Sequence, residues 1–85
     1  MHDIRYVAKA FILDNFLPGE DPNNLTDESE LRESGILDSL STLKLVSFLE
    51  ERFMVEFEAA DLEPGNLSSL LSIERLVKSK MANRQ

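Results

Sequence analysis

Apolar residues recur every three or four positions in three separate stretches of this 85-residue chain, and that period commits most of it to helix. Ile4, Val7, Ala8, Phe11, Ile12 and Phe16 form the first stripe, with Arg5, Lys9 and Asp14 turned outward. Asp3 is placed to cap this helix. Leu17-Pro18-Gly19 stops it, because proline cannot continue the hydrogen-bond ladder and glycine supplies a turn. In the second stretch Leu45, Leu49 and Phe53 follow at four-residue steps, flanked by Thr42, Val46 and Phe48. That spacing predicts a helix from about Ser39 to Phe53 with Asp38 as its N-cap. Leu67, Leu70 and Leu71 lead into the third helix, which Ser69 or Ser72 caps. Its inner stripe is Ile73, Leu76, Val77 and Met81, and Arg75, Lys78, Lys80 and Arg84 gather where the helix dipole favours cations.

The links between these helices are of two kinds. Residues 18–38 are polar and long for so small a domain, yet Leu25, Leu31, Ile36 and Leu37 are apolar anchors within them. An ordered loop is expected, with Thr26 capping a short helical turn through Glu28, Leu31 and Arg32. Met54-Val55-Glu56-Phe57 alternates apolar and polar and reads as an extended link that buries Val55 or Phe57. Glu58-Ala59-Ala60-Asp61-Leu62 suits one short helical turn, which Pro64-Gly65-Asn66 breaks. The residues alone therefore predict three main helices, one minor helical turn and a long first loop around one core. A single domain is expected across residues 1–85, with an ordered core over about 3–82 and Phe48, Phe53 and Phe57 filling the interior.

The chemistry available to such a chain is narrow. It has no cysteine, and its single histidine is His2, so neither disulfides nor a His/Cys metal site can be built. A serine nucleophile would have no base beside it. Three glycines make no phosphate-cradling loop. Asp21, Asn23 and Asp27 loosely match a calcium loop, but Leu25 and Thr26 stand where an oxygen ligand and a glycine are needed, so no metal site is expected. The carboxylates Glu50-Glu51 fall on a solvated helix face with nothing to tune them. An independent enzyme is not expected.

The net charge of −7 repels nucleic acid and anionic membranes and suits partners with basic patches; keeping a small protein soluble explains it equally well. No apolar run approaches the ~20 residues that span a bilayer. The first residues lack the order of a signal peptide, so a cytoplasmic protein without stable membrane insertion is expected.

One serine has an unusual setting. Ser39 follows Asp38 at the start of the second helix, where unpaired N–H groups and the dipole favour an anion. Taken alone, Asp38-Ser39-Leu40 is ordinary capping chemistry. Leu40, Leu43 and Ser47 lie on a second face of that helix, and the two leucines either meet a partner or pack under the preceding loop. The combination carries more than its pieces. Leu31-Arg32-Glu33-Ser34-Gly35-Ile36-Leu37-Asp38-Ser39-Leu40, then Leu45-Val46 and Leu49-Glu50-Glu51-Arg52-Phe53, resembles the acyl carrier protein family. The likeness continues through Phe57, Asp61-Leu62 and the segment from Leu67 to Val77.

The resemblance implies an all-α, right-handed four-helix bundle with a short third helix and a long first loop. It implies that Ser39, with Asp38 beside it, holds 4′-phosphopantetheine, added by a phosphopantetheinyl transferase from coenzyme A. The arm's thiol would hold the cargo as a thioester, so the cofactor and not the chain brings the reactive atom. The chain would then be a discrete acyl carrier, a substrate of other enzymes in lipid, fatty acid or secondary-metabolite synthesis. Carried over by position, Leu40, Leu43, Ser47, Glu50 and Glu51, extended by Glu56, Glu58 and Asp61, would meet partner enzymes with basic patches. Those partners include an acyl- or aminoacyl-activating ligase and acyl-processing enzymes, and the carrier would act as a monomer.

Two features depart from the fatty-acid carriers. Gly35 stands four residues before Ser39 where they usually place it three before, a form similar to specialised and D-alanyl carriers. Lys44 and Arg52 put positive charge on a helix that is usually more uniformly acidic. An aminoacyl or D-alanyl carrier with the same arm, and an acidic helical adaptor without a prosthetic group, are the alternatives.

Overall fold

The computed structural model describes residues 4–83. Asp3, His2 and Arg84, which the sequence assigns to a cap, a terminus and a helix end, lie outside them. The described residues form three α-helices and no strand: α1 (Ile4–Phe16), α2 (Ser39–Phe53) and α3 (Leu70–Asn83). Three short 3₁₀ turns join them, at Pro22–Asn24, Ala59–Leu62 and Pro64–Leu67. The architecture is therefore all-α with three α-helices; where the resemblance implies a short third helix of a four-helix bundle, the described residues form two 3₁₀ turns.

Helix α1 packs against both α2 and α3, and one continuous core joins all three. Ala8 and Ile12 from α1, Leu45 and Leu49 from α2, and Leu70, Ile73 and Val77 from α3 have no exposed surface. These are the predicted stripes, with one correction. Met81 is 37% exposed and does not belong to the inner face of α3, because it lies beyond the part of that helix covered by its neighbours. Phe48 is half-buried and stacks on Phe11 at 4.2 Å between ring centres, joining α2 to α1. Phe11 meets Phe16 edge-on at 5.7 Å, so a small aromatic group closes this side of the bundle.

The long first loop is part of the core rather than a cover over it. Leu25, Leu31 and Leu37 are as buried as the helical leucines, with Ile36 half-buried beside them. Backbone bonds stitch the loop to the start of α3: Leu31 N–H donates to Ser68 O at 2.7 Å and Leu71 N–H to Asp27 O at 3.2 Å. Arg5 adds a side-chain tie, its guanidinium 2.7 Å from Asp27 and 3.3 Å from Glu74. The helical turn expected after Thr26 is a tighter reverse turn, in which Thr26 O accepts from Ser29 N–H and the Ser29 hydroxyl accepts from Thr26 N–H. A serine side chain here offers the backbone an alternative to helix.

Chain reversals follow from backbone chemistry. Leu17-Pro18-Gly19-Glu20 is a turn closed by Glu20 N–H to Leu17 O at 3.0 Å, with Gly19 at φ +87°. Helix α2 ends differently. Met54 takes the left-handed conformation, φ 58° and ψ 50°, and both Met54 and Val55 donate back to Glu50 O. Val55 is thereby turned into the core and Phe57 is left half-buried, which decides between the two anchors of the extended link. Pro64-Gly65-Asn66 ends the Ala59–Leu62 turn as expected, with Glu63 extended before the proline (ψ 147°). It forms a second 3₁₀ turn with Leu67, whose buried side chain holds it down.

Candidate functional site

The start of α2 brings the predicted pair together. Asp38 is extended, and its Oδ1 accepts from Ser41 N–H at 2.8 Å, while Asp38 O accepts from Thr42 N–H at 2.9 Å. Asp38 is thus the N-cap. The Ser41 N–H, helped by the Ser41 hydroxyl, holds the Asp38 carboxyl below its ordinary value of 3.8. With capping done by its neighbour, Ser39 opens the helix exposed, and its hydroxyl bonds to no described residue. Most other serines of the chain are occupied: Ser34 bonds Leu31 O, and Ser68, Ser69 and Ser72 bond one another at the start of α3. Ser69 Oγ accepts from Ser72 N–H, which makes Ser69 the cap there.

The loop delivers this start from a fixed base. Leu37 N–H donates to Leu31 O at 2.8 Å, closing the segment before Asp38 into a loop on itself. Gly35 lies inside that closure at φ +88°, a conformation that side-chain-bearing residues rarely adopt. Its place four residues before Ser39 therefore has a backbone cause. Arg32 leaves the same closure and its Nη1 donates to Thr42 Oγ1, 3.1 Å away in the first turn of α2.

The predicted partner-facing residues fall into two groups. Leu40 and Leu43 are 64% and 56% exposed, so neither packs under the loop, and Ser47 is exposed one turn further on. The second group lies at the other end of α2. Glu50, Glu51 and Glu56 rim an open groove of about 850 Å³ floored by Met54, Val55 and Phe57. Glu50 is not simply solvated, since its carboxylate accepts from Phe57 N–H at 3.0 Å and ties down the extended link. Glu58 is exposed, and its N–H donates to the Asp61 carboxylate at 2.7 Å. That bond, with Lys80 Nζ 2.6 Å away, keeps the Asp61 carboxyl below 3.8, and the Asp61 carboxylate in turn raises Lys80 above 10.5. Asp61 thus already has two partners within the fold. Sequence reasoning missed the Asp61–Lys80, Glu50–Phe57 and Arg32–Thr42 contacts, because each brings a side chain to a partner across a turn or a loop that no spacing rule reaches.

Nothing here resembles a metal centre. Asp21 Oδ1 accepts from Asn23 N–H and Asp27 pairs with Arg5, and no cluster able to hold a metal ion occurs among the described residues. Among the described residues no helix is long and apolar enough to cross a membrane.

A family model for a phosphopantetheine attachment site matches residues 17–76. The chain belongs to the phosphopantetheine-carrying acyl carrier protein family. No curated protein matches it. The match begins as α1 ends and takes in the whole loop, α2, both 3₁₀ turns after it and the first half of α3. This carrier's group is therefore covalent 4′-phosphopantetheine. The start of α2 fits the root of such a group: an exposed hydroxyl, helix N–H groups and a cationic side chain one turn away, with the competing carboxylate already committed. Phosphopantetheinyl transferase and cargo-handling enzymes are the partners of carriers of this kind.

Proposed function

We propose that Ser39 Oγ is the attachment point and that the chain is an acyl carrier delivering its cargo to enzymes of lipid, fatty acid or secondary-metabolite synthesis. The observation that carries this is the division of labour at α2: Asp38 satisfies the helix end, and the adjacent hydroxyl is exposed and unbonded among the described residues. A serine used as a cap would have its oxygen on a backbone N–H. When bound, the arm supplies a terminal thiol that carries the cargo as a thioester.

The chain's own residues place that arm. Helix α2 begins on a loop whose leucines are buried, so the serine is presented from a fixed position. The first-turn N–H groups and the dipole favour the negative charge that modification adds. Among the described residues no base bonds the Ser39 hydroxyl, and the neighbouring Asp38 carboxylate holds Ser41 N–H. Removal of the hydroxyl proton falls to the modifying enzyme. Leu40 and Leu43, exposed beside Ser39, form the apolar part of the docking face, and Glu50, Glu51 and Glu56 the acidic part. Glu58, Asp61 and Ser47 extend it, with Asp61 acting through the turn it holds.

The test is direct. Incubation with coenzyme A and a broad-specificity phosphopantetheinyl transferase adds one phosphopantetheinyl mass to the wild type and to Ser47→Ala, and none to Ser39→Ala. A mass gain that survives Ser39→Ala refutes the assignment. The spacing of Gly35 from Ser39 keeps an aminoacyl or D-alanyl cargo as the second reading, and the ligase that loads the holo form separates the two.

A further inference from the structure

Arg32 is a half-buried cation in a chain of net charge −7, yet it makes no ion pair among the described residues. Glu30 and Glu33 flank it in sequence and both stay exposed without engaging it. Its one side-chain bond is to a neutral group, Thr42 Oγ1, at 3.1 Å. Thr42 is only 6% exposed and sits three residues after Ser39, which makes the two neighbours on the helix surface. The backbone holds Arg32 there. The preceding Leu31 is fully buried and bonded to Ser68 O, and Arg32 O accepts from Gly35 N–H at 3.1 Å. A guanidinium has five donors in a fixed fork that matches phosphate oxygens, and the Thr42 hydroxyl takes only one.

Modification of Ser39 would set a phosphodiester, with one negative charge, beside the Asp38 carboxylate. Two like charges side by side disfavour each other unless a cation stands between or against them. Asp38 is committed to Ser41 N–H and cannot turn away without uncapping the helix. Among the residues described around the start of α2, Arg32 is the cation whose bond already reaches the first turn; Lys44 lies beyond it on the exposed face.

We propose that Arg32 is a positioning residue for the arm, its guanidinium binding the phosphodiester on Ser39 and holding the arm's root against the first turn of α2. This rests on Ser39 as the attachment point. Arginine here confines the arm near the protein surface and presents it from one direction. A purely structural Arg32, bonded to Thr42 and nothing else, would be indifferent to modification.

The experiment compares apo and holo forms of wild type, Arg32→Met, Arg32→Lys and Lys44→Met. Intact mass comes first: a wild type that gains no phosphopantetheine defeats the Ser39 reading and this proposal with it, whereas the outcomes that follow, read in holo samples, bear on Arg32 alone. In holo samples of confirmed mass, the phosphorus-31 resonance of the diester is expected to move in Arg32→Met. It should stay nearer the wild-type position in Arg32→Lys, and be unchanged in Lys44→Met. The same phosphorus resonance in wild type and Arg32→Met overturns the proposal, as does an equal displacement in Lys44→Met. A second measurement needs no variant. In nitrogen-15-labelled wild type, the Arg32 Nε–Hε resonance is expected to shift when the apo form is converted to holo, and to return towards its apo position as salt is raised. An Arg32 resonance identical in both forms overturns the proposal even if Arg32→Met fails to fold.

Discussion

At the residue scale, two positions around α2 carry opposite local effects. Asp38 stabilises the helix start through its ionised form, because the Ser41 N–H lowers its pKa in the fold below the ordinary 3.8. A depressed folded pKa means that this contribution is present in full above 3.8 and is lost as pH falls through the folded value. Thermal unfolding between about pH 3 and 7 should show Asp38→Ala melting several degrees lower than wild type at neutral pH, the gap closing on acidification. Asp38→Asn, which caps without charge, should keep most of the neutral-pH stability and lose that pH dependence. Met54 works the other way. Its left-handed backbone, φ 58°, carries a strain that a side chain suffers and glycine avoids. The side chain is 72% exposed, so little packing is lost with it. Met54→Gly should raise stability by about 0.5–1 kcal/mol, read as a higher denaturant midpoint at unchanged slope.

At the scale of elements, the loop from Pro18 to Asp38 behaves as a fourth packed element, although it has no α-helix of its own. Its leucines are buried as deeply as those of α2, and backbone bonds from Leu31 to Ser68 and from Leu71 to Asp27 tie it to the start of α3. Leu31→Ala should therefore cost about 2–5 kcal/mol in chemical unfolding, the range for a fully buried leucine in a helical core. A loosely draped loop would lose less than about 1 kcal/mol. Because Leu31 O also receives Leu37 N–H, the same substitution should loosen the start of α2. Faster hydrogen exchange at the Ser41 and Thr42 amides would report it. The segment after α2 is held by carboxylates instead. Glu50 takes Phe57 N–H and Asp61 takes Lys80, so two acidic residues of the expected docking face also shape the element that carries them. Charge reversal at Glu50 or Asp61 therefore disturbs structure as well as docking, and Glu51, exposed on α2, is the cleaner probe of docking alone.

At the scale of the whole molecule, the radius of gyration is 12.0 Å, close to the ~12 Å of a compact chain of this length. The net charge of −7 then lies on a small surface, and its field extends beyond any single pair. Exposed ion pairs contribute little each, roughly 0–1 kcal/mol, so the charge acts on encounter more than on affinity. The rate of the proposed Ser39 modification by a basic transferase, measured below saturation, should fall by about tenfold between roughly 0.01 M and 0.15 M salt. Glu51→Lys should lower the low-salt rate and flatten that dependence. An adaptor whose charge served only solubility would show neither effect.

What the sequence determined alone is whatever depends on neighbours in the chain. Helical period placed α2 from Ser39 to Phe53, Asp38 was legible as its cap, and Pro18-Gly19 as the end of α1, because these are one-turn interactions. The linear order of residues from Leu31 through Ser39 to Phe53, continued through Phe57, Asp61-Leu62 and Leu67 to Val77, carried the resemblance to the family, which no one piece of it did. Tertiary structure decided the rest. It buried Leu25, Leu31 and Leu37 in the core, left Met81 outside, and formed a second 3₁₀ turn at Pro64–Leu67 as Leu67 found a place in the core. It joined Asp61 to Lys80 and Arg32 to Thr42, 19 and 10 positions apart. Those contacts turn on how helices and loop are set against each other. That setting follows from the packing of the whole core, which no local pattern encodes.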